Sequence, residues 1–223
     1  MSEVIWPPRC AACERRGYAP FCVVCAQTLE AAAPFSLAGL DRARARNAYG
    51  GAIADAISRL KYQRREDLGP PLAALLAELG PFGADVAVPV PLAPRRLRER
   101  GFNQALLLAR GLDLPIAARL LRRRDGGRRQ VGADRRDRAA QVQGAFWLAP
   151  GASLVGRRVL LVDDVITTGA TARAAAAALR RGGASYVAVI ALARAENDPI
   201  RGISRSNFGC ATPGNGHKVR ESP

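Results

Sequence analysis

Apolar and polar positions alternate with different periods along this chain, and each change of period marks an element. Ile53, Ala56, Ile57 and Leu60 recur at i, i+3, i+4 and i+7, one face of a helix. Leu72, Leu75, Leu76 and Leu79 repeat that spacing after Pro70-Pro71, a pair suited to a helix start. The basic stretch Lys61 to Arg65 reads as a solvated turn between them. Asp85-Val86-Ala87-Val88-Pro89 is a short apolar run closed by proline, which predicts a buried strand that stops abruptly. A loop follows, starting Val90-Pro91-Leu92-Ala93-Pro94 and ending in Arg95 to Arg100, and Asn103 supplies an N-cap for a helix over Gln104 to Arg110. Further on, Val159 to Val162 is four consecutive apolar residues entering Asp163-Asp164. Val165 to Thr171 forms a turn, an Ala-rich helix follows to Arg181 and ends at Gly182-Gly183, and Tyr186 to Ala193 is another strand. Strand, turn, helix, strand at this length predicts a parallel βαβ unit. Ala31 to Asn47 reads as a loop, Arg122 to Gln143 as a polar insert of the lid or disordered kind, and 196–223 as a disordered tail.

Composition narrows the class. Of 223 residues, 48% are apolar and the mean hydropathy is −0.05, enough to bury a core. No run of about 18 uncharged apolar residues predicts a membrane span, and the N-terminus lacks the charged start and apolar core of a secretory signal. A soluble cytoplasmic protein is the expectation. The net charge of +15 comes almost wholly from Arg. Between Arg95 and Arg138, fourteen Arg stand against five acids, so +9 of that charge lies within 44 residues. A patch of this kind points to polyanions, either nucleic acid or phosphorylated small molecules; arginines on solvated faces are the alternative.

Two clusters carry candidate chemistry. Cys10, Cys13, Cys22 and Cys25 form two Cys-x-x-Cys pairs eight residues apart. Each pair lets two thiolates grip one ion from a tight turn, and two pairs close a tetrahedral structural zinc site. Disulfides or a redox pair are the competing readings, although neither pair opens a helix after a strand. Cys210 and His217 stand alone in the tail and carry no assigned role. The second cluster is the turn after Val162. In a parallel unit this turn lies at the carboxyl edge of the sheet, where α/β folds bind ligands. Asp163 and Asp164 suit neighbouring sugar hydroxyls, which donate to ionised acids. The backbone of Thr167, Thr168, Gly169, Ala170 and Thr171, at a helix N-terminus, suits a phosphate. Together they describe a ribose 5-phosphate site.

Val159 to Thr171 (VLLVDDVITTGAT) resembles the phosphoribosyl pyrophosphate motif of type I phosphoribosyltransferases. With the four-cysteine knuckle, Leu60-Lys61-Tyr62 and Val88 to Gln104 (VPVPLAPRRLRERGFNQ), the chain is similar to the ComF family over roughly residues 8–195. The resemblance implies an α/β phosphoribosyltransferase-like fold, a parallel sheet flanked by helices, over 36–195. A zinc knuckle would occupy 1–35. It also implies that Asp163 and Asp164 hold the ribose hydroxyls and Thr167 to Thr171 the 5-phosphate. Val90, Pro91 and Leu92 would sit at the pyrophosphate with Arg95 and Arg96 nearby, and Mg²⁺ would bridge pyrophosphate and ribose. Three functions are compatible with it. One is a phosphoribosyl transfer enzyme, one an accessory of DNA uptake that meets single-stranded DNA and uptake proteins, and one a sensor of phosphoribosyl pyrophosphate.

Overall fold

The protein is described by a computed structural model for residues 7–125 and 144–195. The tail from 196, with Cys210 and His217, and most of the polar insert lie outside those residues. A four-stranded parallel sheet in the order β1-β6-β5-β2 organises the chain, built from β1 (Arg42–Ala48), β2 (Val86–Pro89), β5 (Arg158–Ile166) and β6 (Tyr186–Arg194). A separate antiparallel pair, β3 (Leu121–Arg123) with β4 (Phe146–Leu148), flanks the insert. The apolar stripes become α2 (Gly51–Tyr62) and α3 (Gly69–Ala77), and α5 (Gln104–Ala109) joins them on one face of the sheet. Ile53, Ile57, Leu60, Leu72 and Leu76 are fully buried there, each contributing about 1.5–3 kcal/mol of transfer free energy. The other face packs α6 (Ala170–Arg181) and the β3–β4 pair. No helix among the described residues is long and apolar enough to cross a membrane.

Strand alternation divides β5 between the two faces. Leu160 and Val162 enter the core under α2, α3 and α5, whereas Val159 and Leu161 enter the core under α6. The unit β5–α6–β6 is the predicted parallel βαβ, and α6 ends at the Gly182 cap.

Three local expectations are corrected. Within the expected loop 31–47 lies β1, which pairs in parallel with β6 from Arg42 opposite Ala188 to Ala48 opposite Arg194. Its alternation of Arg with Ala or Asn buries residues too small to give a strong apolar signal. Residues 30–32 run along the outer rim of its second half, where Ala48 donates to the Glu30 carbonyl and Ala31 bridges Asn47. Arg95 to Arg100 belong to a helix, α4 (Pro94–Arg100), rather than a loop; Pro94 sits in its first turn, Gly101 ends it at φ +84°, and none of its residues is buried. Finally, β5 extends through the two acids to Ile166, so the turn begins at Thr167.

Near the N-terminus, Val23–Ala26 form a single helical turn, α1, between the second cysteine pair and Thr28. Thr28 Oγ1 accepts from Ala52 N–H at 2.9 Å and so joins this segment to the start of α2.

Candidate functional site

The four cysteines are buried, and their sulfurs all lie within 4.8 Å of one another. Cys13 and Cys22 Sγ are 3.7 Å apart, close to the edge of about 3.8 Å that a tetrahedron of Zn–S bonds requires. Burial works to raise Cys22, but bonds from the Cys25 N–H and from the Cys25, Cys13 and Cys10 thiols outweigh it and hold Cys22 at about 7. Cys25 is raised by burial and by Cys22, Cys13 and Cys10. Such a donor set fits a soft divalent cation of zinc size. The cluster leans on α2: Arg59 Nε donates to the Ala12 carbonyl at 2.9 Å, and Arg59 and Arg65 both pair with Glu14.

At the carboxyl edge of the sheet, β2 stops at Pro89 opposite Val162, which leaves the last four residues of β5 open on that side. A cavity of about 370 Å³ occupies this opening. Its walls include Asp163, Asp164, Thr167 and Thr171 from β5 and the turn, Val90, Pro91 and Leu92 from the loop after β2, and Arg96 from α4. Eight residues singled out from the sequence thus share one hollow. Thr168 and Gly169 in the turn, and Ala170 at the start of α6, are not part of its wall. Arg95 points away: it is exposed, and its Nε donates to Glu99 Oε1 at 2.8 Å.

Local chemistry fixes each wall. Gly169 caps α6 at φ +73°, a left-handed conformation that favours glycine, and a Cβ there would have to displace the end of the Leu37 side chain. Asn103 caps α5 by accepting from Ala105 N–H at 3.0 Å, and its Nδ2 donates to the Val90 carbonyl at 3.1 Å. One side chain therefore starts the helix and anchors the loop.

Successive strand residues point to opposite faces, so the two acids meet different partners. Asp164, buried, follows Leu160 and Val162 toward α2, where Lys61 Nζ lies 3.0 Å from its Oδ2. Asp163 follows Val159 and Leu161 toward the β3 side, and its Oδ1 accepts from the Asp164 N–H at 2.9 Å. Burial pushes the Asp163 carboxyl up to about 7 and the Asp164 charge adds to the rise, while the Asp164 N–H, Lys61 and Arg123 oppose it. Lys61, Arg96, Arg100 and Arg123 set four positive charges around these two acids, an electrostatic balance suited to an anionic ligand that also carries hydroxyl donors.

Tyr49, Lys61, Arg100, Gln104 and Arg123 were not read as site residues from sequence. For Lys61 a signal existed, because Leu60-Lys61-Tyr62 carries part of the family resemblance. Arg100 continues the row of Arg96 at i+4, and its Nη1 donates to Gln104 Oε1 at 2.9 Å. A second hollow of about 270 Å³ lies elsewhere, between residues 31–35 and Arg44, Arg46 and Glu78, where Arg46 and Glu78 are already paired.

Several known proteins are similar to this chain over part of its length. A profile of the phosphoribosyl transferase domain matches residues 98–207. Competence protein F of Haemophilus influenzae is 39% identical over 116 residues, 50% of this chain and 51% of that one. DNA utilization protein YhgH of Escherichia coli K12 is 32% identical over 158 residues, 66% of this chain and 69% of its own length. Competence protein ComFC of Bacillus subtilis is 30% identical over 127 residues, 55% of this chain and 51% of that one. The chain thus spans about half the length of the first and third of these relatives. Among solved structures, the allosteric regulatory enzyme of purine biosynthesis aligns with 60% of this chain and 29% of its own, at 26% identity and a TM-score of 0.40.

Proposed function

As the chain belongs to the ComF family within the phosphoribosyltransferase superfamily, we propose that its sheet-edge cavity binds phosphoribosyl pyrophosphate and that the protein serves DNA uptake or utilization. One observation carries the ligand: an acid pair, residues of the turn that leads into α6, an arginine pair and an anchored loop all line a single cavity. Ionised Asp163 and Asp164 accept hydrogen bonds from the two ribose hydroxyls. The turn from Thr167 to Thr171 receives the 5-phosphate at the start of α6, with the helix dipole behind it. Val90 to Leu92, Arg96 and Arg100 face the pyrophosphate, where fixed positive charge stabilises a leaving anion. Mg²⁺ bound to that pyrophosphate supplies further charge neutralisation. The DNA role rests on the relatives named for competence and DNA utilization, together with the basic stretch along α4 and β3. In the cysteine cluster we assign a structural zinc, because four sulfurs leave a tetrahedral ion no open position.

Calorimetric titration with phosphoribosyl pyrophosphate and Mg²⁺ tests the ligand. Wild type is expected to bind, and Asp163→Asn and Asp164→Asn each to weaken binding by ten- to a hundredfold, about 1.5–3 kcal/mol for one charge-assisted hydrogen bond. Binding by wild type no tighter than by the double variant overturns the assignment. A nucleobase screen for pyrophosphate release then separates transfer from sensing.

A further inference from the structure

Beside the acids a third charge is already in place. Lys61 ends in the cavity wall, 3.0 Å from Asp164 Oδ2, with its side chain 17% and that of Asp164 12% exposed. An ion pair shielded to this degree is not the screened kind that contributes little. We propose that Lys61 is a positioning residue for this site, the counter-charge that allows Asp163 and Asp164 to be ionised together and so to accept from two neighbouring hydroxyls. The inference deepens the ribose reading above and rests on it for its consequence.

Two carboxylates on adjacent residues at one sheet edge repel each other, and burial adds to the cost of ionising both. A protonated carboxyl donates where a sugar hydroxyl also needs to donate, so one retained proton removes an acceptor from the pair. The groups that face the acids come from every packed element: Lys61 from α2, Arg96 and Arg100 from α4, Arg123 from β3, and Tyr49 before α2. Of these, only Lys61 forms an ion pair with either acid among the described residues. Burial pushes Asp163 toward neutral pH, and Lys61 and Arg123 are the two cations that act against the rise. Arg123 lies on the Asp163 side and Lys61 on the Asp164 side, so neither duplicates the other.

Helix α2 explains why the lysine is held there. Arg59 and Lys61 are two residues apart, about 200° around the helix axis. Arg59 is tied to the knuckle through the Ala12 carbonyl and Glu14, which fixes the rotation of α2 and turns Lys61 to the acids.

Carbon-13 NMR titration of the aspartate carboxyls decides the role without any ligand, with Asp163→Asn and Asp164→Asn supplying the assignments. In wild type the last proton of the pair is expected to leave near pH 7. Lys61→Met should move that midpoint up by about one unit or more, and Lys61→Arg should return it toward wild type. Lys61→Gln gives a second neutral variant should the Met variant fold poorly. A midpoint unchanged by loss of the charge, in either neutral variant, overturns the role assigned to Lys61. In parallel, ribose 5-phosphate titrated from pH 6 to 9 should bind more tightly as the acids ionise, with the rise displaced to higher pH in Lys61→Met. If wild type binds no ribose 5-phosphate at any pH, the functional reading fails, and the carboxyl midpoint still decides Lys61.

Discussion

At the scale of single residues, Asp163 sets function against stability. Burial raises its carboxyl to about 7, whereas an unfolded chain ionises an aspartate near 3.9. Between those values the folded protein holds a proton that the unfolded chain has released, so this group's contribution to stability falls as pH rises from about 4 to 7. Above 7 the whole cost of the buried charge is present. Asp163→Asn is therefore expected to raise the melting temperature at pH 8 and to change it less at pH 4.5, each kcal/mol relieved reading as about 2–4 °C. Melting curves of both proteins across that range check it, and a difference independent of pH contradicts the burial argument. The same substitution should weaken ligand binding, so stability and affinity would move in opposite directions. That acids stand here at all was legible, because four apolar residues delivering two acids to a threonine-rich turn is a specific pattern. The partner of Asp164 was not, since Lys61 reaches it by tertiary packing, and a basic run beside a helix end looks the same whether solvated or paired.

Among the elements, the knuckle and α2 form one unit. Cys13→Ser removes a ligand from a closed set of four, and a structural site that loses a thiolate loses most of its affinity. Purified wild type is expected to hold one zinc per chain and Cys13→Ser much less, as read by elemental analysis. Protein prepared under reducing, zinc-replete conditions that carries a disulfide and no metal would refute the assignment. Legibility differed among elements for physical reasons. Helix α2 announces itself because large apolar residues recur at the helical period, and β5 because four of them run together. In β1 the buried positions are Ala43, Ala45 and Asn47, whose small or polar side chains carry little of the signal that a period search weighs. Helix α4 buries no residue, so it has no stripe to read and only Pro94 marks its start.

For the whole molecule, the question is where the positive charge is used. The described part of the basic stretch has two settings. Arg96, Arg100 and Arg123 line the cavity, whereas Arg122 and Arg124 are exposed, with Arg124 stacked over Trp147. If the outer arginines meet phosphate backbones, binding to single-stranded DNA should fall with salt by about 0.7 in log affinity per decade for each phosphate neutralised. The double variant Arg122→Ala and Arg124→Ala should lower both affinity and slope while leaving phosphoribosyl pyrophosphate binding unchanged, because Arg123 is kept. Fluorescence anisotropy over a salt series reads it, and an unaltered slope assigns these charges to solvation. A different use of arginine follows from the rim of the sheet. Strand β1 ends the sheet, and residues 30–32 cover only its second half, leaving Arg42 and Arg44 exposed along the first. A second copy pairing rim to rim would gather like charges from both copies beside the new seam. Uncharged open rims are where sheets pair edge to edge, and the exposed Arg42 and Arg44 place charge beside this one.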